Sequence, residues 1–169
     1  ATFDNGSCLY FGTACNDGNP LTINDIIQGS CSCSGTFAST NCSPFDYDFG
    51  SASYGIYPAE NTALIDGCIN EPYYQPFHVL VPADAGVIDP LYAGIPINNY
   101  TINSMTIGDN PISDYGLSFT CANNDCVFEA GGQYCLNLFG NPNQAGSFDV
   151  IVNVTVNMVF FGTPVEIPY

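Results

Sequence analysis

The chain has 169 residues, 46% of them hydrophobic and only 9% charged; sixteen are Asp or Glu, none is Lys or Arg, and the formal net charge is -16. With the α-amino group and His78 as its only cationic groups near neutral pH, it has no means of gripping phosphate, nucleic acid or an anionic membrane. Each carboxylate must be solvated, bonded to backbone N–H groups or shared with a metal cation, because no Lys or Arg is present to pair with it.

Residues 1–42 are small, polar and dense in cysteine, at Cys8, Cys15, Cys31, Cys33 and Cys42. Too few apolar side chains lie here to fold the segment alone, so a disulfide-stapled module is expected over 1–42, followed by a second domain over 43–169. From Thr40 to Gly67, Pro, Ser, Gly and aromatics mix without a period, which predicts irregular loops with a short strand near Tyr54 to Tyr57. From Tyr73 onward, short apolar runs alternate with turn residues at intervals of about ten, the pattern of an antiparallel β-sandwich. Phe77 to Val81 reads as a strand stopped by Pro82. Asn99 to Ile107 alternates, with Tyr100, Ile102 and Ser104 on one face, and Leu117 to Phe119 precedes a cysteine-bounded loop. Tyr134 to Phe139 is a further strand. The clearest signal is Phe148 to Phe160, where Phe148, Val150, Val152, Val154, Val156, Met158 and Phe160 share one face and Asp149, Asn153, Thr155 and Asn157 take the other. No amphipathic helix of useful length is visible. The fold class is therefore all-β.

Nine cysteines with 17 Gly and 12 Pro predict an oxidising compartment and several disulfides. Zinc is the competing explanation, but a single histidine and the Cys31-x-Cys33 pair match no common zinc spacing. Neighbourhood suggests two bridges among Cys8, Cys15, Cys31 and Cys33, one between Cys42 and Cys68, and one among Cys121, Cys126 and Cys135. One cysteine is then left unpaired or joined to another subunit. No apolar run approaches the roughly 18 residues of a membrane-spanning helix. The opening at Ala1, without a charged segment and apolar run, predicts a mature secreted chain. Asn-x-Ser/Thr triplets occur at Asn5, Asn41, Asn99 and Asn153 and matter only in a eukaryotic host.

Three stretches carry a family resemblance. Asn16 to Ile27, containing Asp17-Gly18-Asn19-Pro20 and closed by Cys31-Ser32-Cys33-Ser34-Gly35, resembles a short cysteine motif common in secreted proteins of Bacteroidetes. Gly116-Leu117-Ser118 to Cys121, Cys126 to Phe128, Gly131-Gly132, Cys135, Phe139 to Pro142 and Ala145 to Val154 resemble the immunoglobulin-like repeats of bacterial surface proteins. Pro76 to Asp84 is similar to the way such domains begin in that group. The resemblance implies an immunoglobulin-like sandwich, export by the type IX route and surface attachment or release; it implies no activity. Relatives usually carry a C-terminal sorting domain, whereas this chain ends at Tyr169 just after Val165-Glu166-Ile167, so either processing or a different route is expected.

Among candidate sites, Asp17, Asn19, Thr22, Asn24 and Asp25 place oxygen ligands at short intervals, as calcium prefers, although Asp and Asn also make turns unaided. His78, in an apolar run, is expected to be packed and hydrogen-bonded. Asp46 and Asp48 could share a strand face as a carboxylate pair. Tyr54, Tyr57, Tyr73 and Tyr74 could form a sugar-stacking platform, although aromatics in β proteins more often fill cores. No catalytic constellation is visible, so no enzyme is expected. Val159, Phe160, Phe161, Val165, Ile167 and Tyr169 make an apolar chain end suited to completing the sheet edge of another copy. The expectation is a secreted or cell-surface structural protein, a filament subunit or adhesin, whose partners are other copies of itself. The alternative is a carbohydrate- or calcium-dependent binding module of a larger secreted protein.

Overall fold

The structure, a computed structural model, describes residues 12–17, 22–28, 32–37, 42–123 and 125–168. The chain divides into two units, Ala1–Thr40 and Asn41–Tyr169. The division falls slightly before the expected boundary at 42, because Cys42 is bonded to Cys135 of the second unit.

In the first unit β1 (Thr22–Ile27) and β2 (Cys33–Phe37) pair antiparallel. The expected cation loop is thus largely a strand, as its Thr and Ile residues favour extended backbone. The register slips between Ile23 and Ile26, where Asn24 adopts φ 53°. Asn tolerates this left-handed conformation better than a β-branched residue, and the extra residue forms a bulge. Alongside β1, Gly12 and Cys15 donate to the Ile27 and Asp25 carbonyls and Ile27 donates to Thr13, each at 2.9 Å. The Cys15–Cys33 disulfide ties this segment to β2.

The second unit contains β3 (Gly55–Tyr57), β4 (Tyr73–Leu80), β5 (Ile97–Ile107), β6 (Asn110–Pro111), β7 (Leu117–Cys121), β8 (Val127–Glu129), β9 (Gln133–Gly140), β10 (Val150–Phe160) and β11 (Thr163–Pro168). One antiparallel sheet has the order β3-β4-β9-β7; the other is β11-β10-β5-β6, with β8 also paired to β5. Each strand expected from alternation is present, with shifted ends. Among the described residues helix is confined to short 3-10 turns, so the architecture is an antiparallel β-sandwich.

Pro76 sits inside β4 without breaking it. Val81 donates to Gly132, so odd-numbered residues of β4 bond toward β9, and the nitrogen of Pro76 faces the side that β3 does not reach. Between the sheets, Phe77 and Val79 of β4, Leu136 and Leu138 of β9, and Leu117 of β7 meet Ile97, Ile102, Met105 and Ile107 of β5. Phe128 of β8 is completely buried and stacks on Tyr134 with centroids 4.7 Å apart. Its full burial contributes roughly 1.5–3 kcal/mol.

β5 does not alternate simply. Against β10, Asn153 opposes Ser104 while Val154 opposes Ile102, and Asn157 opposes Asn99 while Met158 opposes Ile97. Asn103 and Asn98 are therefore bulged residues, each resetting the face by one position. The inward set becomes Ile97, Tyr100, Ile102, Met105 and Ile107. Ser104, expected inward with Tyr100 and Ile102, instead faces out and accepts the Asn153 amide at 3.2 Å.

Where β7 crosses β9, two glycines meet. A Cβ on Gly140 would lie 2.3 Å from the Gly116 carbonyl oxygen, and Gly116 has φ +77°. Any larger residue at 140 would push the two strands apart.

The expected Cys42–Cys68 bridge does not form. Cys135 projects from the outer face of β9 and Cys42 reaches it across that face with Cα atoms 6.0 Å apart, leaving Cys68 reduced and exposed. Cys121–Cys126 closes the expected cysteine-bounded loop. Cys8 and Cys31 lie outside the described residues. Three disulfides of this kind indicate an oxidising environment. Removing Cys42–Cys135, which spans 93 residues, by double alanine substitution should cost roughly 4–5 kcal/mol, against about 2 for Cys121–Cys126, which spans 5. Urea midpoints of the two double variants check this order.

Candidate functional site

The C-terminal hairpin is one of the places where apolar surface is left uncovered; Phe45, Ile65 and the turn from Val87 to Tyr92 are others. Phe161 and Gly162 form its two-residue turn with φ 49° and +81°, the sign pair of a type I′ turn. The turn sets Phe160 opposite Thr163, Met158 opposite Val165 and Val156 opposite Ile167. β10 is flanked by hydrogen-bonded strands on both sides, yet none of its residues is buried, whereas β5 beside it buries four. Phe160 is 44% exposed, Ile167 41% and Phe161 93%; the two Phe rings touch edge to face at 4.6 Å. Val159 and Val165 are half-buried. Tyr169 lies outside the described residues.

The sequence leads one to expect the last strand to complete a sheet edge in another copy. In the structure it is already paired with β10 of its own chain. Its free edge is also blocked. Val159 donates to Pro96 at 3.2 Å, so the neighbouring positions 158 and 160 bond toward β11. Residues 163, 165 and 167 therefore face β10, while Pro164, Glu166 and Pro168 face outward. Two prolines supply no N–H, and a carboxylate sits between them; both devices resist strand addition. The hairpin's exposed apolar surface is therefore its face and not its edge.

A second cluster lies on the outer face of the β3-β4-β9-β7 sheet, beneath residues 42–57. His78 is only 5% exposed and opposes Tyr57 on β3 and Cys135 on β9. Tyr47 stacks on Tyr57 at 3.9 Å and covers the imidazole at 5.9 Å. The Gln133 amide holds this covering segment by donating to the Pro44 and Tyr47 carbonyls. The Pro44 carbonyl lies beside the imidazole, whose Nδ1 is buried with no hydrogen-bond partner. Burial pulls the His78 pKa below its usual value, against smaller opposing effects of the Asp46 carboxylate and the Pro44 carbonyl. The same burial, with Asp46 nearby, raises the Tyr74 pKa, opposed by the bond between Tyr74 and fully buried Asn137. The imidazole is thus enclosed between the sheet and the covering segment.

The remaining sequence candidates are dispersed. Asp25 accepts the backbone N–H of Asp17 at 3.2 Å, Asn24 is exposed at the bulge, Thr22 begins β1, and Asn19 lies outside the described residues. Among the described residues no three His, Cys, Asp or Glu side chains form a metal-holding group. Asp46 and Asp48 do not share a strand. Asp46 ends a 3-10 turn and accepts from Ser43, whereas Asp48 accepts from Gly50. Tyr73 and Tyr74 are consecutive on β4 and so point to opposite faces, Tyr73 toward the core, so the two do not share one sugar-stacking platform. Sequence reasoning did not find the cluster of Tyr47, Gln133 and Asn137 around His78; its residues come from three separated segments, and only the Pro44-to-Tyr47 turn hints at it.

No family model matches the chain, and no curated protein or solved structure is significantly similar to it.

An unfolded histidine takes up its proton near pH 6.5, whereas folded His78 resists until a lower pH. The resulting stability is complete above about pH 6.5 and is lost as pH falls through the folded pKa. Urea midpoints measured between pH 5 and 8 should decline on the acid side, and His78→Gln should flatten that decline.

Proposed function

We propose that the protein is a non-enzymatic structural subunit of an extracellular assembly, exported to the cell surface or released, which associates with copies of itself through the apolar face of its C-terminal hairpin. The observation that carries this reading is Phe161. Its left-handed backbone costs a residue other than glycine about 1–2 kcal/mol, and its ring is 93% exposed. Asn or Gly would serve the turn better on both counts, so the phenylalanine is unfavourable for the isolated chain and favourable only if something covers it. Phe160, Val165 and Ile167 extend the same surface. The immunoglobulin-like resemblance and the disulfides support a location outside the cell, where a chain without Lys or Arg also denies trypsin-like proteases a cleavage point.

Copies of charge -16 repel one another at long range. Raising ionic strength from 0.01 to 0.15 M shortens the screening length from about 30 to about 8 Å and should strengthen association. Sedimentation velocity across that range tests this, and association that weakens with salt would count against a hydrophobic contact between like-charged copies. Phe161→Asn creates the preferred Asn-Gly turn while deleting the ring. It should leave the urea midpoint unchanged or slightly raised and weaken self-association at least tenfold; unchanged association would overturn the role given to the hairpin.

A further inference from the structure

Residues 43–54 lie over the outer face of β4 and β9 between two fixed points. At one end Cys42 is bonded to Cys135 of β9; at the other, Gly55 to Tyr57 pair with Leu80 to His78 of β4. Between these points the segment is lightly held. None of residues 43–57 is buried, Phe45 is 84% exposed, and the bonds from Ser43 to Asp46 and from Gly50 to Asp48 are internal to the segment. It is tied to the sheet by the Gln133 amide, which donates to the Pro44 and Tyr47 carbonyls, and by the Tyr47 ring over His78. A segment with so few buried contacts belongs to the part of a fold that opens most readily. What it covers is the opposite: His78 is 5% exposed and Cys135 fully buried.

Protonation of His78 sets the cover against the group beneath it. The imidazolium is a donor at both ring nitrogens. Among the described residues Nδ1 is buried with no hydrogen-bond partner, so the charged ring has a buried donor with nothing to receive it. The titratable groups facing the ring are Asp46 and Tyr47 of the covering segment and Tyr57 of β3; on β9 the opposing Cys135 is held in its disulfide, and Tyr74 lies on the same face of β4. Asp46 is the one carboxylate among them. It is exposed, so solvent screens its attraction, and burial of the ring outweighs it.

We propose that residues 43–54 are an acid-released strap: proton uptake by His78 lifts the segment from the sheet, while the Cys42–Cys135 disulfide and the pairing of β3 with β4 keep both its ends attached. Moving Tyr47 from over the ring lets water reach the unpartnered nitrogen, which satisfies the charged form at little cost to the core. Phe77, Val79, Leu136 and Leu138 pack on the other face of the sheet. The lifted strap uncovers neutral polar side chains, Gln133 and Asn137 of β9, beside His78. The closed form is fully favoured above about pH 6.5, where an exposed histidine is neutral, and gives way as pH falls through the closed-state value. This face of the sheet is thus shut in neutral surroundings and open in acid ones. The inference is independent of the self-association proposed above.

Proton NMR of the oxidised full chain, titrated from about pH 8 to about pH 5, tests it. The ring contacts of Tyr47 with His78 and Tyr57 should disappear as His78 takes up its proton. Exchange of the Gln133 side-chain amide, corrected for its intrinsic rate at each pH, should rise roughly tenfold or more. Backbone amides of Leu136 and Leu138 should stay protected over the same range. In His78→Gln, which has no proton to gain, the contact of Tyr47 with Tyr57 should persist in acid. A Tyr47 ring that keeps its contacts down to about pH 5 would overturn the strap. Protection lost at Leu136 and Leu138 together with those contacts would also overturn it, because the sandwich as a whole is then unfolding. Opening that is equally acid-dependent in His78→Gln would remove His78 as the trigger. The wild-type titration decides between strap and global unfolding even if the variant fails to fold.

Discussion

A carboxylate in a chain without Lys or Arg has to find its hydrogen bonds in the backbone, and that constraint orders much of this molecule. Asp46 accepts from Ser43, Asp48 from Gly50, Asp89 from Leu91 and Asp125 from Val127. Asp84 accepts from Gly86 at 2.7 Å and from Gly94 at 3.1 Å, closing a whole loop around one oxygen. All but the Asp84–Gly94 bond are short-range turn or cap bonds, the use to which Asp is best suited. The consequence for the sheets is a separation of charge from strand. β4, β5, β7, β9 and β10 contain no acidic residue at all. Most negative charge sits on turns and short strands, and the long strands present neutral faces.

The same lack of ion pairs shifts the work of cohesion to sulfur and to packing. Cys42–Cys135 fixes residues 42–57 against the outer face of β9, where the covering aromatic side chains enclose His78 and Asn137. One face of this sheet thus borders the main core and the other is partly roofed by its own chain. The opposite sheet is treated differently. Its outer face carries a neutral ladder in which Asn103 donates to Thr155 at 2.8 Å and Asn157 to Asn99 at 2.7 Å. Side-chain amides bonded to one another across strands hold the register of β5 and β10 while leaving that face wet.

Burial falls away from β5 toward β11. The two bulges at Asn98 and Asn103 direct Ile97, Tyr100, Ile102, Met105 and Ile107 at the core, where strict alternation from Ile107 would have turned Asn99, Thr101 and Asn103 inward. β10 lacks such adjustment on its own side, and its valines are only partly covered. The uncovered apolar face of the terminal hairpin is the end of this gradient.

By itself, the amino-acid sequence determined the β class, the positions of most long strands and the dependence on disulfides, because side-chain period and cysteine content are local or compositional properties. Phe148 to Phe160 is legible in this way: its alternation survives intact from Val150 onward as β10. What only the tertiary structure decided involves long-range geometry. The partner of Cys42 depends on which strand face the 42–57 segment crosses, and neighbourhood in the chain pointed instead to Cys68. Ser104 left the expected face because a bulge one residue earlier reset the period, and a bulge is defined by the opposing strand. Whether the final strand is free, and which sheet edge is open, follow from how the strands are ordered in space, and strand order is set by contacts between residues far apart in the chain.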